Sequence, residues 1–196
     1  MLVSGIKSRP VYAGLSPDLY AKQNIIVTNA DGAAAVADML RQCDAAFAQR
    51  STVLLVGNAS PDAEATLSKT TVWRFPTLQT AIVRLGVVLS TARMGTRIYA
   101  AGDEPLLGIV VKTAVEHGVE HNSVRTEHRG STKRRVQCVH CKGITDDVTT
   151  NPVTCAHCGT ALLVRDHFSR RIGAFQGVRI DAEAPGDIPA SLGDFK

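Results

Sequence analysis

The sequence predicts an α/β protein with a five-stranded, mostly parallel sheet flanked by helices, a small metal-ribbon domain and an extended C-terminal tail. Three observations carry this prediction. Short apolar runs alternate with helical patterns up to about residue 128, two Cys-x-x-Cys pairs follow, and residues 167–196 show little periodicity. Strands that are apolar on both faces and separated by helices are typical of a parallel sheet covered on both sides.

The strands and helices of this sheet can be read in order along the chain. The predicted strands are residues 24–28, 52–57, 70–75, 96–101 and 123–127. The predicted helices are residues 31–47, 76–95 and 104–117. In the first helix, Val36, Leu40 and Cys43 fall at i, i+4 and i+7, which places them on one apolar stripe.

Two loops follow strands where ligands of open parallel sheets bind, beyond the carboxyl ends. They are residues 29–32 and residues 102–105. The phosphate-binding motifs GxGxxG and GxxxxGK[ST] are absent from the chain, and Asp31 would repel a pyrophosphate. Asp31 is therefore interpreted as a helix N-cap, which needs no ligand.

Four cysteines form two pairs of identical spacing, Cys138–Cys141 and Cys155–Cys158, separated by thirteen residues. Two such turns can aim four thiolates at one metal ion. Zinc is the usual occupant, and a single iron in a four-thiolate site is the alternative. His140 and His157 lie inside the pairs, where they face solvent or adjust the metal through hydrogen bonds.

Two disulfides are the other interpretation of the four cysteines. Residues 1–20 contain no long apolar run, and nowhere do 18 uncharged apolar residues follow one another. We therefore expect a cytoplasmic protein without a membrane partner, in which free or metal-bound thiols are favoured over disulfides.

Cations flank the ribbon in a chain of net charge +4. They include Lys133, Arg134 and Arg135 before the first pair and Arg165, Arg170, Arg171 and Arg179 after the second. Such flanks suit phosphate backbones, a cofactor phosphate or an acidic protein, and a solvated linker is the alternative. A nucleic-acid-binding zinc-ribbon protein is thus one candidate. Against it, Phe168 and Phe175 are the only aromatic residues of region 135–180 that could stack on bases, and acidic residues follow closely.

The tail begins with the sequence HFSRRIGAFQGVRID over residues 167–181. Arginine and aromatic side chains are favoured at protein interfaces. We therefore expect a partner-binding arm anchored by Phe168, Arg170, Arg171, Phe175 and Arg179. Residues 181–189 should continue in a largely irregular path. The alternative is that the arm folds back on the chain's own ribbon.

One part of the chain resembles the pyridine-nucleotide domain of ferredoxin reductases. The resemblance covers roughly residues 24–128 and is carried by the segment RIYAAGDEPLL at residues 97–107. Tyr99, Gly102 and Pro105 match the turn beside the nicotinamide, whereas Ala101 stands where the family has cysteine. The resemblance implies a reductase fold kept as a scaffold, with no hydride transfer.

A second resemblance extends over nearly the whole chain. The ribbon, residues 167–178 and the segment DAEAPG at residues 181–186 are similar to the small subunit of bacterial dimethylamine monooxygenase. That family implies a multisubunit enzyme that converts dimethylamine to methylamine and formaldehyde with NADPH and O2. Its partners would be a haem-containing subunit and a reductase subunit with FMN and a 2Fe-2S cluster.

The resulting interpretation divides the chain into four parts: an N-terminal arm (1–23), a degenerate nucleotide-type domain (24–130), a metal ribbon (135–166) and a partner-binding tail (167–196). We expect a noncatalytic, structural or electron-relaying subunit of a hetero-oligomer. The sequence has neither a CxxCH haem-attachment motif nor the CxxxxCxxC spacing of plant-type clusters, which agrees with those cofactors lying on partner subunits.

Overall fold

The computed structural model of the chain describes residues 8–190 and 192–195. The chain divides into two units. One is Tyr12–Gly130, and the other combines Ser131–Lys196 with Met1–Val11, of which residues 1–7, 191 and 196 lie outside the described part. Each unit contains its own sheet and its own hydrophobic core.

The first unit is built on a parallel sheet, as the sequence predicted. Its strands are β1 (Gln23–Asn29), β2 (Ser51–Val56), β3 (Thr71–Phe75), β4 (Thr96–Gly102) and β5 (Val124–His128). Their order is β3-β2-β1-β4-β5, and every neighbouring pair is parallel. The chain runs outward from β1 to β3 and then returns to form β4 and β5 on the other side of β1. The strand order therefore reverses between β1 and β4, which is the switch point of a doubly wound sheet.

Helices cover both faces of this sheet. They are α1 (Ala33–Arg41), α2 (Ala45–Gln49), α3 (Pro61–Leu67), α4 (Leu78–Ser90) and α5 (Glu104–Glu116). Because side chains alternate along a strand, Ile26 packs with residues of α1 to α3, whereas Ile25 and Val27 pack with α4 and α5. The sheet is thus buried on both sides, which explains its nearly continuous apolar strands.

Three details of the helices differ from the sequence prediction. The first helix ends at Arg41 instead of continuing to residue 47. A separate helix, α2, follows, and its N-cap residue is Asp44, whose carboxylate accepts a hydrogen bond from Phe47 N. Helix α3 was not predicted, although Ser60 caps it and Pro61 stands at its first turn. The Asp31 cap is wrong, because the N-cap residue of α1 is Gly32, and Gly32 N donates to Asn29 Oδ1.

Residues 12–21 form a segment, here called the strap, that is tied to β4 and β5. Gly14 N donates to Thr126 O at 3.1 Å, and Leu15 N donates to Glu127 Oε2 at 2.9 Å. Further along, Asp18 pairs with Arg97 at 2.7 Å, and its backbone N–H donates to the buried hydroxyl of Tyr99. The strap is therefore fixed to this unit by backbone and side-chain hydrogen bonds.

The second unit contains a mixed five-stranded sheet. The strands of this unit are β6 (Arg134–Cys138), β7 (Ile144–Val148), β8 (Thr150–Asn151), β9 (Val153–Thr154), β10 (Ala161–Ser169), β11 (Ala174–Arg179) and β12 (Gly193–Asp194). The sheet order is β7-β6-β11-β10-β9, and β12 pairs with β8 in a separate two-stranded sheet. Strand β11 is central, parallel to β6 and antiparallel to β10.

The expectation of an extended arm from residue 167 onward is corrected by this sheet. Residues 167–169 end β10, and residues 174–179 form β11. Phe175 is only 2% exposed and packs edge-on against Phe168, with ring centroids 5.1 Å apart. The alternative, an arm folded back on its own ribbon, describes these residues. The apolar side chains that suggested an interface instead complete a core that the short ribbon strands cannot fill alone.

The C-terminal residues also pack on this unit. Arg134, itself buried, lies between two aromatic rings, 4.1 Å from the centroid of Phe175 and 4.0 Å from that of Phe195. Its guanidinium also pairs with Asp166 at 2.7 Å. Cation–π contacts of a desolvated arginine contribute on the order of 2 kcal/mol, so Phe195 anchors the end of the chain.

Among the residues that the structure describes, none of the helices combines the length and the apolar character needed to span a lipid bilayer.

Candidate metal centre

Each pair of cysteines lies in a short turn, here called the first knuckle (residues 138–143) and the second knuckle (residues 155–160). The two knuckles repeat the same hydrogen bonds. Cys138 N donates to Gly143 O, and Cys155 N donates to Thr160 O, both at 2.9 Å. Lys142 N donates to Cys138 O at 2.9 Å, and Gly159 N donates to Cys155 O at 3.0 Å. These bonds fold each turn so that both of its sulfurs lie on the same side.

The structure brings all four predicted sulfurs together. They lie within 4.8 Å of one another, with Sγ distances of 3.9 Å for Cys138–Cys158 and 3.7 Å for Cys141–Cys155. A tetrahedral ion with metal–sulfur bonds of about 2.3 Å has sulfur–sulfur edges of about 3.8 Å. A disulfide needs about 2.05 Å, and all four thiols are free. The donor set therefore fits one tetrahedral, thiophilic metal ion.

The four sulfurs differ in exposure and acidity. Cys138 and Cys155 are buried, whereas Cys141 and Cys158 are exposed. The Thr160 hydroxyl, 3.3 Å from the sulfur, and then His140 lower the pKa of the Cys158 thiol to about 5. The N–H of Gly143 lowers the pKa of Cys141, but partial desolvation and the three neighbouring sulfurs together outweigh it and raise this pKa to about 11. Metal binding would thus displace protons from this cluster.

The two histidines inside the pairs take different roles around the sulfurs. His157 Nε2 lies 2.8 Å from Ile144 O, and a side chain at Gly143 would collide with its ring. His157 therefore joins the second knuckle to the segment after the first. His140 faces Cys158 and favours its thiolate. Sequence reasoning named both residues without separating these roles, because the spacing of a motif does not show which knuckle a side chain touches.

The second candidate site lies at the carboxyl ends of β1 and β4, where the chain packs closely on itself. A Cβ on Gly32 would lie 2.1 Å from Ala101 O, so the first turn of α1 packs directly on the end of β4. A Cβ on Gly102 would lie 2.6 Å from Asn29 Oδ1. Arg129 N also donates to Gly102 O at 2.8 Å. The first turn of α1, the end of β4 and the residue after β5 are therefore in close contact at this edge of the sheet.

The residues predicted to bind a partner are divided between core and surface. Phe175 is buried and Phe168 half-buried, whereas Arg170 and Arg171 are exposed in the turn between β10 and β11. Arg179 is exposed but holds Asp181 through a bidentate pair at 2.7 and 3.2 Å. Asp181 also accepts from Gly186 N at 3.0 Å, which fixes residues 181–186 as a loop. The role of Asp181 was missed, since nothing in the sequence pattern indicates this contact.

Comparison with known proteins gives matches along most of the chain. Residues 4–124 match the family "Dimethylamine monooxygenase subunit DmmA-like, N-terminal domain", and residues 135–178 match its C-terminal domain. The heme-dependent oxidative N-demethylase delta subunit of Ectopseudomonas mendocina (strain ymp) is 30% identical over 165 residues, which are 84% of this chain and 83% of that protein.

Two solved reductases have partial structural similarity to the chain. The ferredoxin reductase of carbazole 1,9a-dioxygenase has 13% identity and a TM-score of 0.41, and the match covers 55% of this chain and 37% of the reductase. Phthalate dioxygenase reductase has 15% identity and a TM-score of 0.43, and the match covers 67% of this chain and 45% of that reductase. The family matches and the delta-subunit relative confirm the resemblance found in the sequence: this chain belongs to the dimethylamine monooxygenase subunit DmmA-like family.

Proposed function

We propose that this chain is a noncatalytic subunit, structural or electron-relaying, of a multisubunit monooxygenase that demethylates dimethylamine to methylamine and formaldehyde with NADPH and O2. The observation that supports this proposal is the 30% identity over 165 residues to the delta subunit of a heme-dependent oxidative N-demethylase. The two family domains also match in the same order as the two units of the structure. This homology supports a subunit role in an N-demethylating oxygenase.

The haem, FMN and 2Fe-2S cluster of this enzyme would be held by partner subunits, a haem-containing oxygenase subunit and a flavin- and iron–sulfur-containing reductase subunit. The distribution of cysteines supports this assignment. Four of the five cysteines form one compact cluster, and the fifth, Cys43, lies in the other unit. A plant-type cluster would need a second set of four cysteines.

The absence of an active site in the parallel-sheet unit is supported by the packing at β1 and β4. Hydride transfer needs a nicotinamide beside the carboxyl end of β4 and a pyrophosphate beside the first turn of α1. Gly32 and Gly102 are instead packed against Ala101 and Asn29. The unit would then act as a rigid scaffold that presents its outer surfaces to other subunits.

We propose zinc as the metal, held by Cys138, Cys141, Cys155 and Cys158 in a closed structural site. The four sulfurs complete a tetrahedron and leave no open position for a substrate. A bound zinc ion would join the two knuckles and contribute free energy of folding. This role fits a ribbon whose strands β8 and β9 have only two residues each.

A second candidate, electron relay through a single iron in the same site, is favoured by the exposure of Cys141 and Cys158. Two exposed sulfurs would bring an iron ion close to the surface, where a partner's redox group could approach it. Iron–thiolate absorption in the visible region would identify this case, whereas a zinc protein is colourless.

Co-expression of the tagged chain with the haem and reductase subunits tests the proposed function. We expect a complex that carries haem and flavin, and formaldehyde formation from dimethylamine that stops when this chain is left out and returns when it is added back. Full activity without the chain would contradict the proposal. Salt-sensitive binding of the chain to DNA, together with no copurifying subunits, would favour the nucleic-acid-binding alternative.

A further inference from the structure

Helix α4 has an outer face that is unusual for the surface of a soluble domain. Ala81, Leu85 and Leu89 point into the core and are buried. On the outer side, Val83 and Val87 are 62% and 53% exposed. Surface helices normally present charged residues to solvent, but Arg84 is the only charged residue of α4. Two neighbouring turns of the helix therefore expose valine where charge is expected.

Further exposed apolar side chains lie just beyond the end of the helix. Met94, in the turn between α4 and β4, is 96% exposed. Lys22 N donates to Gly95 O at 2.9 Å, which brings the end of the strap to the same turn. Tyr20, two residues earlier, is 95% exposed, and Leu19 is also exposed. Of the eight exposed large apolar side chains in the described residues, five lie on this helix, its following turn or the attached strap.

In α4 and the turn that follows it, every charged residue is a cation. No acidic residue occurs between Glu64 and Asp103 in the sequence. Two cations of this stretch, Arg74 and Arg97, are neutralised by Glu64 and Asp18. Arg93 and Lys22 have no ion pair within the described part of the chain, and the guanidinium of Arg84 lies 4.2 Å from the ring centroid of Trp73.

We propose that this face is a docking surface for an acidic protein, namely another subunit of the oxygenase complex. We call it the α4 surface and define it by Leu19, Tyr20, Lys22, Val83, Arg84, Val87, Arg93 and Met94. Interfaces favour aromatic, methionine and arginine side chains at an apolar centre. Cations at the rim attract a partner of opposite charge and hold it in register. The inference rests on the proposed function, because it takes the partner from the same complex.

A second copy of this chain fits the surface less well. A two-fold interface places the same patch on both sides. The cations Arg84, Arg93 and Lys22 would then face a patch of the same charge, and like charges in contact disfavour association. Nucleic acid would satisfy the cations but would leave Val83, Val87 and Met94 without apolar contacts.

The test compares variants of the full chain in the co-expressed complex. The variant Arg93→Glu changes only the rim charge, and Val87→Glu combined with Arg93→Glu also places a carboxylate at the apolar centre. Lys69→Glu is the matched control, because Lys69 is exposed at the end of α3, on the opposite face of the sheet. Thermal unfolding and metal content verify that each variant is folded.

We expect Arg93→Glu to weaken copurification of partner subunits by about tenfold at moderate salt and the double variant to abolish it, whereas Lys69→Glu behaves as wild type. Wild-type binding should also weaken as salt is raised. If wild type copurifies and both variants do so equally well, the α4 surface proposal is wrong and the proposed function stands. If wild type copurifies with no subunit, both fail. A wild-type dimer that the variants turn into a monomer, or loss of DNA binding alone, would also overturn the proposal.

Discussion

Lys142 and Gly159 occupy equivalent positions in the two knuckles, and both have a left-handed backbone, with φ of 64° and 72°. In each case the residue follows the second cysteine of its pair, and its N–H donates to the carbonyl of the first. A left-handed conformation costs a residue with a Cβ about 1–2 kcal/mol. The first knuckle carries this cost at Lys142, and the second avoids it with glycine.

Gly159→Ala tests this relationship. A Cβ there meets nothing within 4 Å, so the expected loss of about 1 kcal/mol in stability of the metal-loaded ribbon comes from the backbone alone. Chelator competition measures it as weaker retention of metal. Lys142→Ala is the control, since its position already carries a Cβ and only the exposed bond from Lys142 Nζ to Val139 O is lost. Equal behaviour of the two variants would contradict the argument.

Cys155→Ser should remove the metal and unfold the ribbon. Cys155 is buried, and structural zinc contributes on the order of 10 kcal/mol of apparent folding free energy in small ribbons. Elemental analysis should fall from one ion per chain to none, and limited proteolysis should cut within residues 135–166. Cys43→Ser, in the other unit, should keep both metal and protease resistance. A Cys155→Ser protein with its full metal content would show that the ligand assignment is wrong.

Gly32→Ala should destabilise the parallel-sheet unit by roughly 2–3 kcal/mol, because the new methyl group has no space beside the backbone of Ala101. Gly118→Ala is the comparison, since that residue has φ of 79° and no neighbour within 4 Å. Its expected cost is about 1 kcal/mol. Urea unfolding followed through Trp73 fluorescence measures both. A Gly32→Ala protein as stable as wild type would mean that the crevice can open.

NADPH should not bind to the isolated chain. We infer this from the close packing at Gly32 and Gly102 and from the absence of a GxGxxG motif in the chain. Calorimetric titration at sub-millimolar NADPH should give only the heat of dilution, and ferricyanide reduction by flavin-supplemented protein should equal the buffer blank. Turnover above that blank would overturn the scaffold interpretation.

Asp181 should make the loop at residues 181–186 sensitive to acid. The Arg179 guanidinium, and then the N–H of Gly186, hold the pKa of Asp181 well below its usual range. A lowered pKa in the folded state stabilises the loop above the ordinary aspartate pKa of about 3.9. That contribution is lost progressively as the pH falls below this value toward the folded-state pKa.

The amide signal of Gly186 in NMR spectra reports on this contact. In wild type it should keep its position from neutral pH down to about pH 4 and shift only below it. In Asp181→Asn it should be displaced already at neutral pH and change little with acid. Asp187→Asn, at the exposed position that follows this loop, is the control and should follow wild type. A wild-type signal that is insensitive to acid would contradict the assignment.

The sequence predicted the parts of the fold that depend on local patterns. Each predicted strand of the parallel sheet lies within one residue of an observed strand, because burial on both faces makes these strands continuous apolar runs. The clustering of the four cysteines could be predicted because each Cys-x-x-Cys turn directs two sulfurs to one point. Both signals are contained in short segments of the chain.

The remaining features depend on contacts between distant residues. Strand β11 contains Gly177, and a glycine inside a segment argues against a strand when only the sequence is considered. In the structure a Cβ at Gly177 would lie 2.7 Å from the side chain of Val136 and 2.9 Å from that of Leu162, so glycine is required for close packing between strands. The close packing of α1 on the end of β4 likewise rests on Gly32 meeting Ala101, far away in sequence. Neither reason for glycine can be read from its neighbours along the chain.

The strap has a consequence for how the protein is made. Residues 12–21 leave the ribosome early, but their partners on β4 and β5 follow much later, with separations of 81 residues from Asp18 to Tyr99 and 112 from Leu15 to Glu127. Until those strands emerge, the nascent chain cannot complete the parallel sheet or bury its face. Folding of this unit therefore has to wait until translation has passed β5.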